Sequence, residues 1–237
     1  MTRAAVVLAC CLAGLSGPAC AGVPPTTPVT RKAGWWRASH RQINARVKQG
    51  GVDLVFIGDS ITSGWAREGK VVWDRYYGRR RAANLGIGGD ETGHLLWRLT
   101  HGNLRGISPK VAVVLVGVNN AYRRDHSAAA IAEGIEHIVV ELRRRLPRAK
   151  VLLLAIFPAG ARPGRFRQKT GAVNKRIAKL ADGKRVHFLD IGARFLGKNG
   201  IISQEVMFDY LHLTERGYRI WAEAMEPTLR RLLRARQ

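Results

Sequence analysis

The sequence predicts a three-layer α/β/α domain built on a doubly wound, parallel sheet of five strands. Three observations carry this expectation. Five short runs rich in Val, Ile, Leu and Ala recur along the chain without the in–out alternation of a sheet wetted on one face. Segments with apolar residues at helical spacing separate several of them. That order of elements places helices on both faces of a parallel sheet. A length of 237 residues with 46% hydrophobic content suits a single globular domain with a sizeable core, and neither an internal repeat nor a second domain is visible.

The chain opens with a segment that does not belong to that domain. Met1-Thr2-Arg3 is a short basic start, and "AAVVLACCLAGL" is an apolar run too short to span a bilayer. Ala19-Cys20-Ala21 supplies a small-x-small cleavage signal, so residues 1–21 read as a secretory signal peptide cut after Ala21. The competing readings are a retained anchor and a lipoprotein attached through Cys20. The second is weaker, because Gly17-Pro18-Ala19 lacks the usual upstream leucine. The expected product is exported, to the periplasm or the medium. Cys10, Cys11 and Cys20 all fall in the leader, so the mature chain would have no disulfide, no thiol nucleophile and no cysteine metal site. Residues 22–34, "GVPPTTPVTRKAG", are rich in Pro and Thr without periodicity and read as a linker or loose arm. The domain is then expected over 35–237.

Within it, "DLVFIG" (53–58) is the first buried strand, and "AANLGIGG" (82–89) is a short strand running into a glycine-rich loop. "KVAVVLVGV" (110–118) is β-branched and continuous, as suits a central parallel strand. Ile131, Ile135, Ile138, Val139, Leu142 and Leu146 recur at helical spacing, which puts Arg143, Arg144 and Arg145 mainly on an outer face. "KVLLLAIFP" (150–158) is a strand stopped by Pro158. A helix through Val173, Ile177 and Leu180 follows, then the strand "RVHFLDI" (185–191). An amphipathic helix from about Thr214, carrying Ile220, Trp221, Met225, Leu229 and Leu232, closes the chain.

Open parallel sheets hold their ligands outside the carboxyl ends of the strands. Ser60, Gly88-Gly89 and Asn119-Asn120 each follow directly after a predicted strand, so three polar or permissive segments converge on one rim. Ser60 by itself could be a helix cap or a nucleophile. A nucleophile needs a base, an acid that orients the base, and donors for the oxyanion. "FDYLHLTERGY" offers Asp209 and His212 on one short turn, with Thr214 available to cap the last helix. An Asp-x-x-His pair alone is also what capping or packing would give. Asp90 and His94 are candidate accessory residues, although Asp90 and Thr92 equally suit a cap for the helix after the glycine loop.

Other chemistries lack their patterns. Thr62 occupies the last glycine position of a Gly-x-Ser-x-Gly elbow, and Glu91 that of a dinucleotide fingerprint in "GIGGDE". There is no phosphate-binding Gly-Lys-Ser/Thr element, and the remaining histidines show no metal-ligand spacing. Neither metal nor cofactor is called for. The formal net charge of +23 raises nucleic-acid binding, but the basic runs are scattered and not interleaved with stacking aromatics. A solvated surface suited to anionic cell-wall polymers or lipid head groups is the simpler reading, with no specific nucleic acid as partner. The oligomeric state has no signature in the sequence.

"FIGDSITSGW", "NLGIGGDETGHLLWRL", "VGVNN" and "FDYLHLTERGY" resemble, in order, the four sequence blocks of the SGNH (GDSL-type) hydrolases. The likeness covers about residues 35–232 and is strongest to the branch containing the platelet-activating-factor acetylhydrolase catalytic subunits. It implies a flavodoxin-like sheet and a serine esterase for short acyl groups, acetyl above all, on acetylated carbohydrate or a phospholipid-type ester. By the same resemblance Ser60 is the nucleophile, and Asp209 and His212 are the acid and base. Ser60 N–H, Gly89 N–H and the Asn119 side chain form the oxyanion hole. The chain departs from the family at Val118 and Ala121, where "GTNNH" is common, and at Ala159, where "PRG" is common. These departures bear on the surroundings of the acyl group. The alternatives are a lysophospholipase or thioesterase of the same fold and, in a different class, a non-catalytic polyanion-binding protein.

Overall fold

A computed structural model describes residues 22–234; the leader expected at 1–21 lies outside the described residues. Five parallel strands form one sheet: β1 (Leu54–Gly58), β2 (Ala82–Gly86), β3 (Val111–Leu115), β4 (Lys150–Leu154) and β5 (Val186–Leu189). Their order, β2-β1-β3-β4-β5, is the flavodoxin-like winding, with its switch point between β1 and β3. The register sets Gly58 opposite both Gly86 and Leu115, so the first three strands end level and deliver their loops to one rim.

Each strand is shorter than the apolar run that foretold it. Val116, Ala155, Ile156 and Phe157 are buried, yet they lie past the last strand residue. Hydrophobicity reports burial, and burial continues into the floor of the rim after the ladder has ended.

Helices α1 (Gly34–Lys48), α2 (Ser60–Ser63), α3 (Lys70–Tyr77), α4 (Thr92–Thr100), α5 (Val118–Tyr122), α6 (Ala128–Arg145), α7 (Arg165–Ile177) and α8 (Glu215–Arg234) complete the layers. On one face α4, α6 and α7 pack in series, and α1 joins them by setting Trp36 against Trp97 at 5.6 Å between centroids. On the other, α3 packs against α8 over Phe56, which meets Trp73 at 5.0 Å, Tyr77 at 4.8 Å and Trp221 at 6.2 Å. Buried rings of this size carry much of the apolar area removed from water.

The segment expected to be a loose arm is fastened to the domain. Val29 N–H donates to Gly93 O (3.1 Å), Thr92 Oγ1 donates to Pro25 O (2.7 Å), and His126 Nε2 donates to Val23 O (3.2 Å). Its anchors are backbone carbonyls, which leave no periodic trace in the side-chain pattern. Several basic residues are also paired rather than merely solvated. Arg80 binds Glu226 through two hydrogen bonds, and Glu141 is shared by Arg144 (2.8 Å) and Arg145. Among the described residues no helix is long and apolar enough to cross a membrane.

Candidate active site

Ser60 stands two residues past the end of β1. Asp59, not Ser60, takes the cap position of α2, its Oδ1 accepting from Ile61 N–H at 3.0 Å. Ser60 is thereby free for other work and sits at the first helical position, where backbone N–H groups lack helical partners. The glycine-rich loop approaches it closely: a Cβ built on Gly88 would lie 4.0 Å from Ser60 Cβ. Gly89 has φ +71°, a conformation costly for any side chain, and a Cβ there would lie 2.7 Å from Arg31 Nη1. Neither Ser60 N–H nor Gly89 N–H has a partner among the described residues.

From the β3 end, Asn119 donates through Nδ2 to Asp90 O at 2.8 Å. An amide nitrogen carries two hydrogens, so this bond fixes the side chain and leaves one N–H available. Neighbouring Asn120 is fully buried; it accepts from Thr92 N–H at 2.9 Å and donates to His126 Nδ1 at 3.2 Å, tying α5 to the start of α4.

The other half of the site arrives from the end of the chain. Met207 and Leu213 are fully buried and form an isolated antiparallel bridge, which holds both legs of a turn over the rim. Within it His212 Nε2 lies 3.0 Å from Ser60 Oγ, and His212 Nδ1 lies 2.6 Å from Asp209 Oδ2. Asp209 Oδ1 accepts from Leu211 N–H (3.0 Å) and His212 N–H (2.7 Å). Burial opposes the charge on Asp209, but the bonds from His212 and Leu211 hold its carboxyl below the usual range. Nδ1–H donating to the carboxylate leaves Nε2 as an acceptor facing the serine hydroxyl. All five sequence-predicted residues thus meet at one rim: Ser60, Asp209 and His212 in a hydrogen-bonded chain, Gly89 and Asn119 on the two flanking loops. Thr214 caps α8 as expected, its Oγ1 accepting from Gly217 N–H at 3.3 Å.

Asp90 and Thr92 do not cap α4. Glu91 does, in a capping box in which Glu91 N–H donates to His94 Nδ1 at 3.0 Å. His94 is absorbed in this role, and burial together with Arg31, Arg98 and Arg123 lowers its pKa to about 4. Asp90 is fully buried and accepts from Trp36 Nε1 (2.6 Å) and Arg98 Nε (2.7 Å). Arg98, also fully buried, reaches on to Leu85 O (2.9 Å), next to the end of β2, and Gly58 O (3.1 Å), the last carbonyl of β1. One guanidinium therefore clamps two strand ends and the loop that positions Asn119. Its only sign in the sequence is an arginine set among Leu95, Leu96 and Leu99 on an otherwise apolar helix.

The fold is the three-layer α/β/α arrangement of a GDSL-type hydrolase, and the comparisons agree. The GDSL-like lipase/acylhydrolase family matches residues 56–220; the chain belongs to this family and is a carboxylic ester hydrolase. It is 39% identical over 201 residues to platelet-activating factor acetylhydrolase IB subunit alpha1 of Bos taurus, covering 84% of each chain. It is 40% identical over 187 residues to the alpha2 subunit of Rattus norvegicus, covering 77% of this chain and 78% of that one. The acetylxylan esterase of Geobacillus stearothermophilus superposes with a TM-score of 0.61 at 19% identity, over 79% of this chain and 96% of that one, a likeness of fold.

Proposed function

We propose that the protein is an exported esterase that removes short acyl groups, acetyl above all, through an acyl-enzyme on Ser60. The observation that carries this reading is the continuous Ser60–His212–Asp209 chain, at 3.0 Å and 2.6 Å. His212 Nε2 takes the proton from Ser60 Oγ as that oxygen attacks the ester carbonyl. The oxyanion meets Ser60 N–H, Gly89 N–H and the free N–H of Asn119. As the tetrahedral species collapses, the carbonyl re-forms, the C–O bond to the alcohol breaks, and His212 gives its proton to the departing oxygen. Water then enters with His212 again as base, and Ser60 leaves as the alcohol. Asp209 keeps the imidazole in the required tautomer throughout.

The acetyl preference is supported by the two acetylhydrolase relatives. Export rests on the leader sequence, and N-terminal sequencing of the secreted protein should begin at Gly22. The decisive experiment is hydrolysis of 4-nitrophenyl acetate by wild type and Ser60→Ala, with a fluorophosphonate label located by mass spectrometry. Wild type should be active and labelled on Ser60, and the variant should lose at least about a thousandfold in turnover. Full activity in the variant, or a label elsewhere, removes Ser60 as nucleophile.

A further inference from the structure

The Ser60–His212 pair deals with an ester's carbonyl and leaves the alcohol to the surrounding surface. α5 carries Asn119 near its start and Tyr122 one turn later, so the two side chains share a helix face. Tyr122 is 53% exposed, and its ring stacks on Phe166 of α7 at 4.4 Å and 27°. Burial and the negative Asp209 both raise its phenol, which puts the ring within electrostatic reach of the proposed triad. An open groove of about 570 Å³ lies between α5 and α7, lined by Tyr122, Phe166, Arg123, Arg124, Arg165 and Lys169.

Two of these cations are already engaged. Arg123 pairs with Asp125 at 3.1 Å, and Lys169 Nζ donates to Arg123 O at 2.6 Å. Arg124 and Arg165 make no hydrogen bond or ion pair through their side chains among the described residues, and no carboxylate lines the groove. The site therefore combines an aromatic platform with two uncommitted guanidinium forks. A sugar ring can lay its C–H face on such a platform while a carboxylate on the ring enters a fork, the geometry arginine serves best. A quaternary ammonium head group would instead be set among four cations. A long alkyl chain would find only Ala121, Tyr122 and Phe166 to bury against.

We propose that this groove holds the alcohol part of the ester and that the alcohol is an acidic saccharide, making the substrate an O-acetylated, carboxylate-bearing glycan. The proposal rests on the esterase reading above. It also gives part of the chain's large positive charge a local use, beside the reaction centre rather than spread over the surface.

The test compares acetylated oligogalacturonides with acetylated xylo-oligosaccharides as substrates. The proteins are wild type, Arg124→Ala/Arg165→Ala, and a charge-matched Arg41→Ala/Arg105→Ala on the α1–α4 side. Wild type should favour the acidic ester by about tenfold in kcat/KM at low salt, chiefly through KM, and the preference should shrink as salt rises. The groove variant should retain about twofold or less, and the charge-matched control should keep the full preference. In a second arm, unacetylated oligogalacturonide is titrated calorimetrically into Ser60→Ala, with and without the two groove substitutions. Binding should weaken about tenfold when they are present. Equal handling of the two esters, an unchanged preference in the groove variant, or binding to phosphatidylglycerol vesicles but not to oligogalacturonide would each overturn the proposal. If wild type failed on 4-nitrophenyl acetate but still bound oligogalacturonide through the groove, the esterase mechanism would fall and the groove would stand.

Discussion

The two halves of the site are built by opposite means. The half proposed to receive the oxyanion hangs on a buried polar network. Asp90, Arg98, Asn103 and Asn120 are fully buried, Arg98 binds carbonyls at or next to the ends of two strands, and Asn119 is aimed by the carbonyl of Asp90. The half carrying the proposed acid and base is a surface turn. Its side chains are 33% exposed at His212 and 43% at Asp209, and their bonds stay within a few residues, apart from the one to Ser60. Donors that stabilise a developing charge must be fixed before the charge forms, which favours a rigid, water-poor setting. A base that passes protons to an alcohol and then collects them from water needs contact with solvent. Rigidity on one side and access on the other suit the chemistry proposed for each.

Substitutions should therefore separate stability from turnover. The largest effect is expected at Arg98. Arg98→Met leaves the Asp90 carboxylate buried without its cation, and denaturant unfolding should show a loss of about 3–5 kcal/mol. Adding Asp90→Asn should restore part of it. An unmoved midpoint would mean that the clamp is not what holds the rim. Asn119→Ala comes next: turnover of 4-nitrophenyl acetate should fall about a hundred- to a thousandfold, while the unfolding midpoint shifts by less than about 1 kcal/mol.

On the exposed half, Asp209→Asn should cost about ten- to a hundredfold in turnover, because the imidazole loses its charged orienting partner. The melting temperature should hardly move, since Asn can still accept from the two backbone amides. A stability loss as large as that of Arg98→Met would show that the turn is not local.

A pH-dependent effect concerns Asp59, whose Oδ2 is buried with no partner among the described residues. Burial raises its carboxyl from 3.8 to about 7, with Asp90 adding to the rise and Ile61 N–H and Arg98 opposing it. Between those values the folded chain holds a proton that the unfolded chain has released, so this group's contribution to stability falls as pH rises from about 4 to 7. Asp59→Asn should remove that slope, so that the variant gains on wild type progressively as pH rises across the window. Parallel unfolding curves at pH 4.5 and pH 7.5 would contradict it.

The readable part of the site was its linear blocks. Ser60, Gly89 and Asn119 follow strands whose apolar runs announce them, and Asp209 and His212 sit three apart on one turn. The supporting groups were not readable in the same way. Trp36 reaches Asp90 across 54 positions, and Arg31 reaches Gly88 O across 57 at 3.4 Å. No spacing rule spans such distances. The fastening of the Pro/Thr-rich arm is unreadable for a related reason, since most of its contacts use backbone N–H and C=O groups that carry no residue signature.

By itself the sequence determined the alternation of strands and helices, the strand ends that carry reactive groups, and the family. These depend on local period and on residue chemistry, which are written in order along the chain. Only the tertiary structure decided that Asp59 rather than Ser60 caps α2, that Arg98 joins two strand ends to the Asn119 loop, and that Arg124 and Arg165 have no side-chain partner among the described residues beside Tyr122. Each of these depends on which groups are desolvated together. Desolvation is a property of packing across the whole domain, not of any segment of it.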